Sequence, residues 1–127
     1  GTVKNVAGET VLAMKEHFGC LSPDILVGIG PAIGPCCYEV GNDVVNAIRA
    51  VFENHAGNIL RSGESDRYYL DLWQATRIQL TIAGVPLRNI ESGDFCTRCN
   101  AGELYSHRHD NGTTGRFAAG IMIKASR

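Results

Sequence analysis

The stretch GIGPAIGPCCYEVG, Gly28–Gly41, continues the apolar run that starts at Ile25 and is dense in glycine and proline, with two cysteines side by side. Backbone punctuation of that density marks a sharp turn where something comes close to the main chain. A dinucleotide-binding unit would need G-x-G-x-x-G leading from a strand into a helix. Gly28 and Gly30 fit, but Ile33 stands at the third glycine position and PCCYEV follows in place of a helix. No G-x-x-x-x-G-K-[ST] loop occurs either, so the Rossmann and P-loop signatures both fail. What remains is a rigid loop between the strand ILVGIG and the extended segment CCYEV. Its backbone N–H groups either serve the turn alone or face an anion.

Outward from this loop, strands and helices alternate. Val3, Val6, Ala7, Val11, Met14 and Phe18 recur every three or four residues and predict a helix over 3–18, with Thr2 at its N-cap and Gly19 at its end. After the loop, Asn42 or Asp43 is expected to cap a second helix carrying Val44, Ala47, Ile48, Val51 and Phe52, ending near Gly57. LRSGESD reads as a polar loop and RYYL as a strand. Asp71 with Gln74 three residues on forms a capping box for a third helix over 72–83, whose apolar face includes Leu72, Ala75, Ile78 and Ile82. LRNIES reads as a strand, GDFCTRCNAGE as a loop, LYSHRHD as extended, NGTTG as a tight turn and RFAAGIMIK as a final strand. The fold class that follows is α/β with mixed sheets.

The 127 residues suit one domain, and 12 basic against 13 acidic side chains, a formal charge of −1, leave no global field to recruit nucleic acid or an anionic membrane. No apolar run approaches the ~20 residues of a membrane-spanning helix. GTVKNVAGET lacks the pattern of a signal peptide. Five cysteines, an odd number with two adjacent, argue against a disulfide framework and for a reducing compartment, so a cytoplasmic location is expected.

Three groups of residues carry candidate chemistry. Cys36 and Cys37 suggest a nucleophile, but no local base or cation accompanies them, and buried inert thiols are the expectation. Cys96 and Cys99 form one C-x-x-C, half of a zinc ribbon that His107 and His109 are close enough to complete; one such pair is weak evidence, and no second C-x-x-C exists in the sequence. The stretch Tyr105–Arg116 is the richest in polar groups. If extended, it sends Tyr105, His107 and His109 to one side and Ser106, Arg108 and Asp110 to the other. Arg108 and Arg116 bracket a turn holding Thr113 and Thr114, a set suited to phosphate or carboxylate. The plain alternative is a solvated hairpin.

GIGPAIGPCCYEVG, DLWQATRIQL, FCTRCN and SHRHDNGTTGRFAAGIMI, in this order and spacing, closely resemble the C-terminal half of the bacterial YfiH/YlmD family. Its members have been called laccase-domain or multicopper polyphenol oxidase proteins, peptidoglycan editing factors and zinc-dependent purine nucleoside phosphorylases. The resemblance implies that residues 1–127 are the C-terminal portion of a single domain, part of a four-layer α/β/β/α fold, with Gly1 matching the end of the family's H-A-G-W-[RK]-G motif. It also implies that the zinc ligands, two histidines and a cysteine, lie in an N-terminal half missing from this chain. No catalytic or metal residue is then carried over. Arg108, Arg116, Thr113 and Thr114, with Gly34, Pro35 and Cys36 of the opening loop, are expected to form the substrate-side wall. The implied partners are a purine nucleoside, phosphate and the missing half, and the implied cofactor is zinc. Copper fits less well, since His17 and His55 stand isolated. Adenosine deamination, peptidoglycan-precursor hydrolysis, phenol oxidation and a non-catalytic interaction role remain alternatives.

Overall fold

A computed structural model describes residues 1–125. Its helices are α1 (Val6–Phe18), α2 (Asn42–Phe52), the single turn α3 (Ala56–Ile59) and α4 (Leu72–Ile82). Its strands are β1 (Val27–Ile29), β2 (Glu39–Val40), β3 (Leu60–Ser62), β4 (Tyr68–Leu70) and β5 (Ile90–Ser92). β1 pairs in parallel with β5, while β4 lies antiparallel between β2 and β3. The α/β class with mixed sheets is thus borne out.

α4 joins the two cores because apolar residues occupy more than one of its faces. Ala75 and Ile78 pack with Val45, Ile48, Phe52 and Ile59 over the antiparallel sheet. Leu80 packs with Val11, Ile25, Val85 and Ile90 between α1 and the parallel pair. Ile48 and Ile59 are fully enclosed, so truncating either to alanine removes about 2–5 kcal/mol of packing. The start of α4 follows the cap expected from sequence: Asp71 Oδ1 accepts the Gln74 N–H at 3.0 Å. The reciprocal half of a capping box is not formed, because the Asp71 N–H donates to the Ile59 carbonyl at 2.9 Å.

Several boundaries differ from expectation, each for a local reason. Thr2–Asn5 form a turn, and the first helix begins only at Val6, after Asn5 in the left-handed region at φ 55°. Val3, Val6 and Phe18 are therefore exposed, and Val11 carries the buried stripe with support from Ala7 and Met14. Neither Asn42 nor Asp43 caps α2; Gly41 occupies the N-cap and no side chain bonds there. α2 stops at Phe52, where Glu53 takes φ 48°, and Gly57 lies inside α3. Leu60–Ser62, expected in a loop, is β3, closed onto β4 by the Gly63 N–H bond to the Arg67 carbonyl. Ile82 is 70% exposed, while Trp73, absent from the expected face, is buried.

The last third departs most. LYSHRHD is not extended: the Asp110 N–H returns to the Ser106 carbonyl at 3.0 Å, so the alternating sides assigned to Tyr105–Asp110 do not exist. RFAAGIMIK forms no strand over 116–124, because a strand exists only through ladder hydrogen bonds and this segment finds no partner edge among the described residues.

Candidate functional site

The opening loop and the loop after β5 leave the same end of the parallel pair and stay side by side. The Ala32 N–H donates to the Phe95 carbonyl at 3.3 Å and the Thr97 N–H to the Ala32 carbonyl at 3.1 Å, making a parallel bridge between Ala32 and Cys96. Asp94, just before this bridge, is anchored by the Ser92 hydroxyl at 2.6 Å and by the Arg77 guanidinium of α4 at 2.8 Å. Those contacts, the Ser92 hydrogen bond first, hold its carboxyl below the usual range despite slight burial.

Gly34 shows what the glycine density is for. A Cβ at this position would lie 2.7 Å from the edge of the Trp73 ring and 3.2 Å from Cys96 Cβ. Only a residue without a side chain lets the loop settle between α4 and the second loop. The chain then turns, with the N–H groups of Cys37 and Tyr38 both reaching the Gly34 carbonyl at 3.0 Å.

This turn brings together what the sequence keeps apart. The sulfurs of Cys36, Cys37, Cys96 and Cys99 all lie within 4.8 Å of one another, a set that could hold a metal ion. Cys36 and Cys37 Sγ stand 3.5 and 3.4 Å from Cys99 Sγ. Two backbone donors converge on Cys96 Sγ, the Gly34 N–H at 3.2 Å and the Cys99 N–H at 3.5 Å. Burial alone would raise the Cys96 thiol, but these N–H groups and the thiols of Cys36 and Cys99 bring it down to about 6. Desolvation and the neighbouring thiols push Cys36 up, and hydrogen bonding with Cys37 leads the rise at Cys99.

Cys36 is exposed and Cys37 half-buried, so the expectation that both thiols are buried is corrected. The sulfurs that gather around Cys96 and Cys99 are those of Cys36 and Cys37, while His107 and His109 stand outside the set. His109 Nδ1 is 2.8 Å from Asp110 Oδ1, and the His107 ring lies against Gly112. Spacing could not show this, because vicinal cysteines do not resemble C-x-x-C and the two pairs meet through the long-range β1–β5 pairing and the Ala32–Cys96 bridge.

The polar stretch reaches the same loop from the other side. Arg108 donates to the Glu39 carbonyl at 3.1 Å and stacks its guanidinium 5.3 Å from the centre of the Tyr38 ring. Ser106 is buried, and its hydroxyl accepts the His109 N–H at 3.2 Å. Asn111 and Gly112 both take positive φ, which reverses the chain ahead of Thr113 and Thr114. The Thr114 hydroxyl oxygen is buried without a protein partner among the described residues. Arg116 is exposed beyond Gly115, and no hydrogen bond ties it to the opening loop among the described residues. Of the expected wall residues, the structure joins Arg108 to the opening loop that holds Gly34 and Pro35. It turns Cys36 toward Cys99.

Residues 1–124 match the family model described as multi-copper polyphenol oxidoreductase laccase. The chain belongs to that family. Among curated family relatives, purine nucleoside phosphorylase YlmD of Geobacillus stearothermophilus is 41% identical over 95% of this chain and 44% of its own length. An adenosine deaminase from an unknown prokaryotic organism is 33% identical over 98% of this chain and 47% of its own length. The crystal structure of a Bacillus licheniformis hypothetical protein, YfiH, superposes with a TM-score of 0.84 at 35% identity, covering 91% of this chain and 43% of that one. The family chain therefore spans just under half the length of these relatives. No helix among its described residues is long and apolar enough to cross a membrane.

Proposed function

We propose that this family chain forms the substrate-side wall of a zinc-dependent purine nucleoside phosphorylase, with the zinc ligands on residues outside it. In that reaction a phosphate oxygen attacks the anomeric carbon of the nucleoside, and the carbon–nitrogen bond breaks. The purine leaves with the bonding electrons and takes up a proton, giving ribose 1-phosphate and free base. The wall's task is to hold phosphate and shield the reacting centre from water. The observation that carries the proposal is the Arg108 contact with Glu39 and Tyr38, which joins the polar stretch and the opening loop into one surface. The Thr114 hydroxyl, buried beside Asp110, adds a donor on the same stretch.

Arg108 and Arg116 are assigned different parts. One Arg108 N–H holds the loop, leaving the rest of its fork for an anion, while Arg116 meets phosphate without a structural duty. Arg116→Lys in the intact protein is expected to weaken phosphate-dependent cleavage of inosine. Arg108→Lys should lower both that activity and thermal stability, since lysine keeps the charge but loses the planar fork. Loss of charge-assisted bonds worth about 1.5–3 kcal/mol corresponds to about a 10- to 150-fold fall in kcat/KM. Unchanged phosphorolysis in both variants would return Tyr105–Arg116 to a solvated turn.

The relative named as an adenosine deaminase supports a second activity at the same wall. Products from adenosine separate the two: adenine with ribose 1-phosphate for phosphorolysis, inosine with ammonia for deamination. Copper chemistry has less support, since the metal-capable grouping among the described residues is four thiols rather than clustered histidines.

A further inference from the structure

We propose that Cys36, Cys37, Cys96 and Cys99 bind one zinc ion as a structural tetrathiolate site that clips the Gly28–Gly41 loop to the loop after β5. The dimensions are those of a single-ion site. Four sulfurs about 2.3 Å from a central zinc stand about 3.8 Å apart at the corners of a tetrahedron. The separations from Cys99 Sγ to Cys36 and Cys37 Sγ are 3.5 and 3.4 Å, and the whole set fits within 4.8 Å. Small outward adjustments of exposed side chains close the difference, since Cys36 and Cys99 both lie at the surface.

The surrounding backbone is built for sulfur anions. In a C-x-x-C turn the N–H of the second cysteine can donate to the sulfur of the first, and Cys99 does so to Cys96. The opening loop adds a second donor, with the Gly34 N–H aimed at the same sulfur. Such donors fix a ligating thiolate and offset its charge. As the Zn–S bonds form, each protonated thiol gives its proton to solvent, and four thiolates around Zn²⁺ leave a net −2 that the two N–H groups reduce. No oxidant is required.

The site also explains why loops of this shape occur together. The two cysteine pairs are about sixty residues apart in sequence, and the parallel pair β1–β5 ends just before both. A metal there closes a long loop, which is where a cross-link removes the most chain entropy. It would hold Tyr38 and the Glu39 carbonyl, and through them Arg108, in register. The proposal is independent of which reaction the protein catalyses.

The test uses the intact protein, prepared with zinc under reducing, anaerobic conditions, and metal content measured by mass spectrometry of the digested sample. Because another zinc is assigned to residues outside this chain, the count is read by difference. The double variant Cys36→Ser/Cys99→Ser changes only exposed thiols; with its fold confirmed by circular dichroism, it should carry one zinc per chain fewer than the parent. Cys20→Ser, outside the cluster, should keep the parent's count. Cobalt-substituted parent should show intense thiolate-to-cobalt absorption that the double variant loses. Equal zinc in parent and double variant overturns the proposal. So does iron in place of zinc, or rapid reaction of all four thiols with a thiol reagent while zinc is retained.

Discussion

Gly34 determines how closely three parts of the molecule meet. Its Cα faces the Trp73 ring and Cys96, and both neighbours are themselves enclosed, at 9% and 5% exposure. Gly34→Ala would push a methyl group into that contact at 2.7 Å, so either the indole or the second loop has to move. Overpacking of this kind costs about 1–3 kcal/mol. The expected outcome is a lower denaturant midpoint for the alanine variant, followed by fluorescence of Trp73, the chain's single tryptophan. A midpoint equal to the parent's would show that the ring has room to swing aside. This position also marks what one residue's sequence context conveys. That the loop needed glycine for close approach was legible from its composition; that the approaching groups are Trp73 and Cys96 was not, because both arrive through long-range packing.

Among the elements, α4 shows local signals at their most reliable. Asp71 accepts the Gln74 N–H and also meets the Arg61 guanidinium at 3.2 Å. The two roles separate by substitution. Asp71→Asn keeps an oxygen acceptor for the cap and loses only an ion pair whose arginine is 64% exposed, a loss of about 0–1 kcal/mol. Asp71→Ala removes the cap as well, adding about 1 kcal/mol. Thermal unfolding should therefore rank parent, asparagine, alanine in falling stability, and asparagine as costly as alanine would show that the ion pair, not the cap, matters. α4 was legible because its cap and periodicity lie within twelve residues. β3 was not, since Leu60–Ser62 is polar and short and becomes a strand only by pairing with β4. RFAAGIMIK errs in the opposite direction: its composition suits a strand, yet propensity does not supply a neighbouring edge. The thiol cluster belongs with β3, being a product of pairing rather than of any local motif.

At the scale of the whole molecule, the exposed apolar residues are too many and too contiguous along the chain for a finished surface. Phe18 ends α1 and Leu21 lies three residues beyond it, both exposed, and Ile121, Met122 and Ile123 form a run, with Met122 82% and Ile123 93% exposed. Isolated exposed apolar side chains are normal, but runs of them mark surfaces that another part of a protein covers. The relatives are about twice as long, which supplies a candidate for that cover: the remainder of a family domain, able to give the 116–124 segment the strand partner it lacks here. Two outcomes are expected of the isolated 127-residue chain. It should bind an apolar dye and associate with rising concentration in sedimentation experiments. Supplied with zinc, it should turn over neither inosine nor adenosine, because the proposed catalytic zinc ligands lie outside it and bound phosphate alone does not activate the leaving base. Adding the remaining half in trans should suppress dye binding and restore phosphate-dependent turnover together, as expected if one interface covers the apolar runs and completes the proposed pocket. A monomeric, dye-silent chain would show that these residues need no cover, and zinc-dependent turnover by the isolated chain would place the catalytic metal within residues 1–127 and overturn the division of labour proposed for the two halves.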